Sequence, residues 1–234
     1  MSPVFSIDPA IFEAFPNARF AAVIAHDVDN HRSRDEAAER MLQAVGSAHE
    51  RFAGIDPKSH PSIAVWREVF GSRGWTPSKY LSSIEALIRR IAKGGEPPSI
   101  NPAVDLANSV SINRIIPLGA HDLAYSPEGM VVRLAQPGDI FKPMGEAPDE
   151  TPDEGEIVYA HGSTVATRRW VWRQNRIGLV TPEARDILFP IDGFAGVSED
   201  DAYRAAEMLA EIIPRYLGGS TSVYHLNLDH PVTE

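Results

Sequence analysis

A change of hydrophobic periodicity at Pro117 constrains this chain more than any other feature. Before it, most apolar residues recur at helical spacing; after it, they fall in short runs of strand length separated by turn residues. One early exception is the branched, apolar run at residues 20–25, which reads as a buried strand. Ser33-Arg34-Asp35-Glu36 has the form of a capping box and predicts a helix to about residue 52, with Ala37, Met41, Ala44, Val45 and Ala48 as its buried stripe. A shorter helix is expected over 61–70. Thr76-Pro77 predicts another that runs to residue 93, where Gly94-Gly95 ends it. The helix expected over 101–113 carries Asn108 close to its apolar side, where a polar group must find partners or line a cavity. Past Pro117, strands are expected at 129–135, 157–161, 165–174 and 187–191, with a mobile acidic loop at 145–155. Ser198 opens a last helix that Pro214 should kink or end, and residues 220–228 are extended. The fold class is therefore α+β, with helices packed on a largely antiparallel sheet system.

The densest chemistry lies at residues 167–176, where four arginines and two tryptophans occur without an acidic neighbour. Read as one strand, the alternation of side chains puts Arg168, Trp170, Trp172 and Gln174 on one face and Arg169, Val171 and Arg173 on the other. An aromatic surface beside a cation suits a nucleobase, a sugar, an aromatic amino acid or an acidic partner. The same residues also fit a sheet whose tryptophans fill the core while arginines snorkel at the rim. Two histidine-bearing stretches have the residue types of a metal site: His26, Asp27, Asp29 and His31, and, in the tail, His225, Asp229 and His230. In each, a solvated chain end is the competing reading.

Twenty-two basic residues against 32 acidic ones give a net charge of −10, which opposes indiscriminate nucleic-acid binding. The chain has no cysteine, which excludes disulfides, thiolate metal sites and a thiol nucleophile. No apolar run reaches the roughly 18 residues needed to span a bilayer, and no basic segment leads into an apolar one, so a cytoplasmic protein without membrane contact is expected. A phosphate loop, a nucleophile elbow, a zinc-protease helix and a dinucleotide fingerprint are all missing.

The segment Asn101-Pro102-Ala103-Val104-Asp105-Leu106-Ala107-Asn108-Ser109-Val110-Ser111, followed by Pro117-Leu118-Gly119-Ala120-His121-Asp122-Leu123, resembles the B3/4 domain of the phenylalanyl-tRNA synthetase beta subunit. The pattern continues through Arg133-Leu134-Ala135, Gly155 to Tyr159, Arg169 to Gln174 and Thr181, and is similar to free-standing proteins built on that domain. This resemblance implies a three-layer α+β fold around a β-sandwich flanked by helices. It further implies a single domain over residues 1–234, with 1–57 as an N-terminal strand–helix extension and 60–215 as the core of the likeness.

The activity implied is hydrolysis of the ester of a mischarged aminoacyl-tRNA by a positioned water, with no metal, cofactor or covalent intermediate; the chain is not itself expected to be a synthetase. Asn108 and Asp122 match family positions. Together with His121 and Glu156 they are expected to line the pocket, while Arg168, Trp170, Trp172, Arg173 and Arg176 bind substrate. Gly119 stands where the synthetase domain has its editing histidine, and the large residues Arg169 to Gln174 replace its run of small ones. The alternative is a non-catalytic module that binds tRNA, another RNA or an amino-acid-like ligand.

Overall fold

The computed structural model describes residues 4–233. In chain order the elements are β1 (Phe5–Ile7), α1 (Pro9–Ala14), β2 (Ala18–His26), α2 (Arg34–Arg51), α3 (Pro61–Ser72), α4 (Ser83–Ala92), α5 (Pro102–Arg114), β3 (His121–Asp122), β4 (Met130–Leu134), β5 (Ile157–His161), β6 (Thr164–Arg168), β7 (Arg173–Gln174), β8 (Ile187–Phe194), α6 (Glu199–Leu217) and β9 (Ser220–Leu226). One sheet has the order β1-β4-β5-β6-β7 and the other β3-β8-β2-β9. The β1–β4 pair is parallel and every other strand pair is antiparallel, so the fold is α+β with mixed sheets.

Strand alternation explains the layers. Ala21, Val23 and Ala25 of β2 pack with Leu106 and Val110 of α5 and Leu209 of α6, whereas Phe20, Ala22 and Ile24 on the other face meet Phe5, Val132, Ile157 and Tyr159 of the second sheet. The order is helices, four-stranded sheet, five-stranded sheet. Strand β2, from the segment expected as an N-terminal extension, is an interior strand paired on both sides.

Three local expectations are corrected. Ser33 takes a left-handed backbone (φ 50) and makes no side-chain cap, so the capping box does not form. Helix α4 begins at Ser83 rather than near Thr76: the Ser82 hydroxyl accepts from the Glu85 amide, and the Ser83 amide donates to Val171 O. Residues before it turn so that Tyr80 meets Trp172 edge-on, with ring centroids 4.8 Å apart. Helix α6 runs three residues past Pro214, so of the kink or ending expected there the ending does not occur; the carbonyl of Ala210, which loses its usual amide donor, accepts from the Thr221 hydroxyl at 3.0 Å.

The fourth correction shapes the site. Residues 165–174 are not one strand: β6 stops at Arg168, Arg169 (φ 45) and Trp170 (φ 64) take left-handed backbone, and β7 starts at Arg173. Such conformations cost on the order of 1 kcal/mol each for residues with a Cβ. They are offset by hydrogen bonds from the Trp170 amide to Ile157 O at 2.7 Å and from the Arg169 amide to Glu156 at 2.9 Å. The proposed common face of Arg168, Trp170, Trp172 and Gln174 therefore does not exist.

Candidate functional site

Two adjoining cavities open between α5 and the end of the sandwich. The inner one, of about 90 Å³, is walled by Gly119, His121, Tyr159, Trp170, Trp172, Arg173, Pro190 and Asp192 among others. The outer, of about 390 Å³, lies against Ile100, Val104, Asn108, Met144, Leu179 and Thr181. Leu118, Gly119 and Gln174 line both, so the two adjoin there. A Cβ at residue 119, at this junction, would sit 3.2 Å from His121 Nε2 and 3.3 Å from Pro190 Cγ. The His121 imidazole thus turns inward, beside the place from which a residue-119 side chain would project.

Asp192 is the group that inspection of the sequence passed over. It shares a face of β8 with Leu188, which packs in the inter-sheet core, so its carboxyl points between the sheets. Tyr159 OH donates to its Oδ1 at 2.5 Å and Trp170 Nε1 at 2.9 Å. Burial pushes this carboxyl up to about 7, although both hydrogen bonds pull the other way. Burial and the adjacent carboxyl also push the Tyr159 phenol well above its usual value. The available signal was a lone acidic residue inside an otherwise apolar strand, which demands a partner or a cavity.

His121 stacks on Tyr159 with ring centroids 6.0 Å apart. Burial, helped by the nearby His161, pushes it down to about 4, so at neutral pH the ring is uncharged. Gln174 Nε2 donates to Ala120 O at 2.8 Å and stands 3.4 Å from His121 Nδ1. With an amide donor facing Nδ1, the proton of the neutral ring belongs on Nε2, which becomes a donor beside the junction.

The remaining expected site residues divide between cleft and scaffold. Asn108 lines the outer cavity; Trp172 and Arg173 line the inner one. Trp170 also reaches the inner wall, but as a fully buried core residue whose indole holds Asp192. Glu156 lies off the cleft: it is 1% exposed, and both oxygens accept from Arg168, at 2.9 and 2.7 Å. Arg168, 6% exposed, also bonds Glu150, so its guanidinium is consumed by the acidic loop and is not presented to a ligand. Asp122 caps a short turn by accepting from the Ala124 amide at 3.0 Å. Arg176 donates to Gly145 O at 2.9 Å outside the cleft walls. The acidic loop, expected to be mobile, is tied at Gly145 to Arg176, at Glu150 to Arg168 and Arg173, at Asp153 to Arg169 and at Gly155 to Arg73.

The histidine stretches bring no metal site together: among the described residues no group of three or more His, Asp or Glu side chains is placed to hold an ion. His26 instead pairs with Asp186 at 3.0 Å, and His225 stacks on Tyr203. Among the described residues no helix is long and apolar enough to cross a membrane.

Comparison with known proteins sets this cleft in a family. The phenylalanine–tRNA ligase beta subunit of Nocardia farcinica (strain IFM 10152) is 31% identical over 125 residues, which is 53% of this chain and 12% of that protein. The chain thus spans only a small part of that relative's length. The crystal structure of an N-terminal fragment of the Pyrococcus horikoshii phenylalanyl-tRNA synthetase beta subunit aligns with 93% of this chain and 50% of its own, at 11% identity and a TM-score of 0.46. The family model for the B3/4 domain matches residues 65–218, two thirds of the sequence and all of the cleft-bearing segments, and the chain belongs to the B3/4 domain family.

Proposed function

We propose that the joined cavities hydrolyse the ester between an amino acid and the end of a tRNA, removing a mischarged amino acid in trans. The observation that carries this reading is that the two cavities adjoin, with Asn108 on the wall of one, His121 and Asp192 on the wall of the other, and Gly119 lining both. Its outer space has the scale of small-ligand pockets, which run from about 300 Å³ upward. Family membership, and a match within a phenylalanine–tRNA ligase beta subunit, favour an aminoacyl-tRNA as the substrate; fold alone does not specify chemistry.

In the reaction, the oxygen of water attacks the ester carbonyl carbon, the bond from that carbon to the ribose oxygen breaks, and the proton lost by water ends on the ribose oxygen. His121 Nε2–H is the donor for the carbonyl oxygen as it gains charge, and the Asn108 amide orients the ester. Arg173 and Arg176, with side chains 33% and 40% exposed, are the two arginines of the cluster left to meet the tRNA end. The test is release of amino acid from a panel of mischarged tRNAs by the purified protein, with Asn108→Ala as control. Release above background that drops in the variant is expected; background rates on every member of the panel overturn the reading.

Binding without turnover is the second reading. It is favoured by the loss of Arg168 to Glu156, which removes a cation from the surface expected to meet RNA. Saturable binding of an amino acid with no hydrolysis of any aminoacyl-tRNA distinguishes it.

A further inference from the structure

The inner cavity ends on a carboxyl group without a counter-ion. Among the described residues no basic side chain lies within ion-pair distance of Asp192, whose two donors are a phenol and an indole, both neutral and both on Oδ1. The neighbouring imidazole of His121 is uncharged at neutral pH, and Arg173, on the same wall, is paired with Glu150 at 3.3 Å. A buried carboxylate with only neutral partners is costly, and a cation brought into contact with it recovers much of that cost. The rings of Tyr159, His121, Trp170 and Trp172 line the same cavity. The space is small: about 90 Å³ holds an ammonium group and the carbon that bears it, and is tight for a large aromatic side chain.

We propose that the inner cavity is the seat of the α-ammonium group of an amino acid, anchored by Asp192, with the rest of the molecule extending past Gly119 into the outer cavity. This deepens the proposed function and rests on reading the cleft as a site for an aminoacyl group. Asp192 is then a specificity-determining residue: it demands a free, protonated amine and rejects acylated or deaminated analogues. The proton that burial holds on Asp192 near pH 7 leaves when the ammonium arrives, so binding releases protons. Free amino acids and aminoacyl esters share this ammonium.

The experiment is calorimetric titration of the full chain with the standard L-amino acids, their methyl esters, and the N-acetylated forms of both, in buffers of differing ionisation enthalpy. At least one amine-bearing compound is expected to bind, to lose about tenfold or more in affinity on N-acetylation, and to release protons at neutral pH. Comparison of acids with methyl esters identifies which source is preferred. Asp192→Asn retains an oxygen acceptor for Tyr159 and Trp170 and is expected to weaken the amine-bearing ligand by a similar factor. Equal affinity for acetylated and free forms, or no binding of any amine-bearing compound at millimolar concentration, overturns the proposal. Should the variant fail to fold, the acetylation comparison decides alone. Amine-dependent binding without hydrolysis of aminoacyl-tRNA upholds this inference and removes the deacylase reading. Hydrolysis indifferent to N-acetylation of the aminoacyl group does the reverse.

Discussion

The guanidinium of Arg168 grips Glu156 through both carboxylate oxygens, at 2.9 and 2.7 Å, with both side chains withdrawn from solvent. The same carboxylate receives the Arg169 amide at 2.9 Å and so holds the left-handed turn between β6 and β7. Removing Glu156 leaves Arg168 with Glu150 as its close carboxylate and the Arg169 amide without its acceptor, at a cost of about 1–3 kcal/mol for buried donors left unpaired. Glu156→Ala is expected to lose that much stability in urea denaturation, and to shift the Trp170 fluorescence as the turn loosens. A loss below about 1 kcal/mol would show that the pair contributes little.

Stability should depend on pH through Asp192. Its carboxyl is raised from 3.8 to about 7 in the fold, so the stability associated with its proton is fully present below the unfolded value and is lost as pH rises through about 7. Asp192→Asn does not titrate. The wild type should therefore weaken relative to this variant by a few kcal/mol between about pH 5 and about pH 8. Denaturation midpoints of the two proteins at both pH values check this; a constant difference overturns it.

His121 acts in the opposite sense. Burial lowers it from 6.5 to about 4, so its contribution is present above the unfolded value and is lost as pH falls through the folded one. In His121→Phe the acid-side loss between about pH 6.5 and about pH 4 should shrink, as read by the same denaturation series. Nitrogen chemical shifts of the wild type should show Nε2 protonated near neutrality, and Gln174→Leu should weaken that preference.

Gly119 lines both cavities where they adjoin. In Gly119→Ala the new methyl meets His121 Nε2 at 3.2 Å and Pro190 Cγ at 3.3 Å, contacts that a shift of a few tenths of an ångström relieves. Stability should fall by less than about 1.5 kcal/mol, while affinity for ligands reaching Asp192 falls more than the stability loss explains. Unchanged affinity in titration would place the ligand elsewhere.

Asn30 ties the end of β2 to the outer cavity. Its amide donates to Asn101 Oδ1 at 3.0 Å and Thr181 O at 2.8 Å, and its oxygen accepts from the Ala103 amide at 2.7 Å. Asn30→Ala leaves the Ala103 amide without its acceptor, while Asn101 Oδ1 keeps the Val104 amide and Thr181 O the Ala184 amide, and should cost about 1–3 kcal/mol in chemical denaturation.

What the sequence determined by itself is the content governed by near neighbours along the chain. The apolar run at residues 20–25, the helix expected over 101–113 and the last helix after Ser198 each form the expected element, because periodicity acts within a few residues. The ordered motifs from Asn101 to Thr181 were enough to indicate the family. Only the tertiary structure decided which arginines are spent on carboxylates, that the chain turns back at Arg169 and Trp170, and that Asp192 ends the inner cavity. Those outcomes depend on Glu156 meeting Arg168 across 12 residues, and on Tyr159 and Trp170 meeting Asp192 across 33 and 22. Alternation along an isolated strand carries no information about which partner waits in the facing sheet, and it is the burial shared with that partner that fixes both the backbone and the charge.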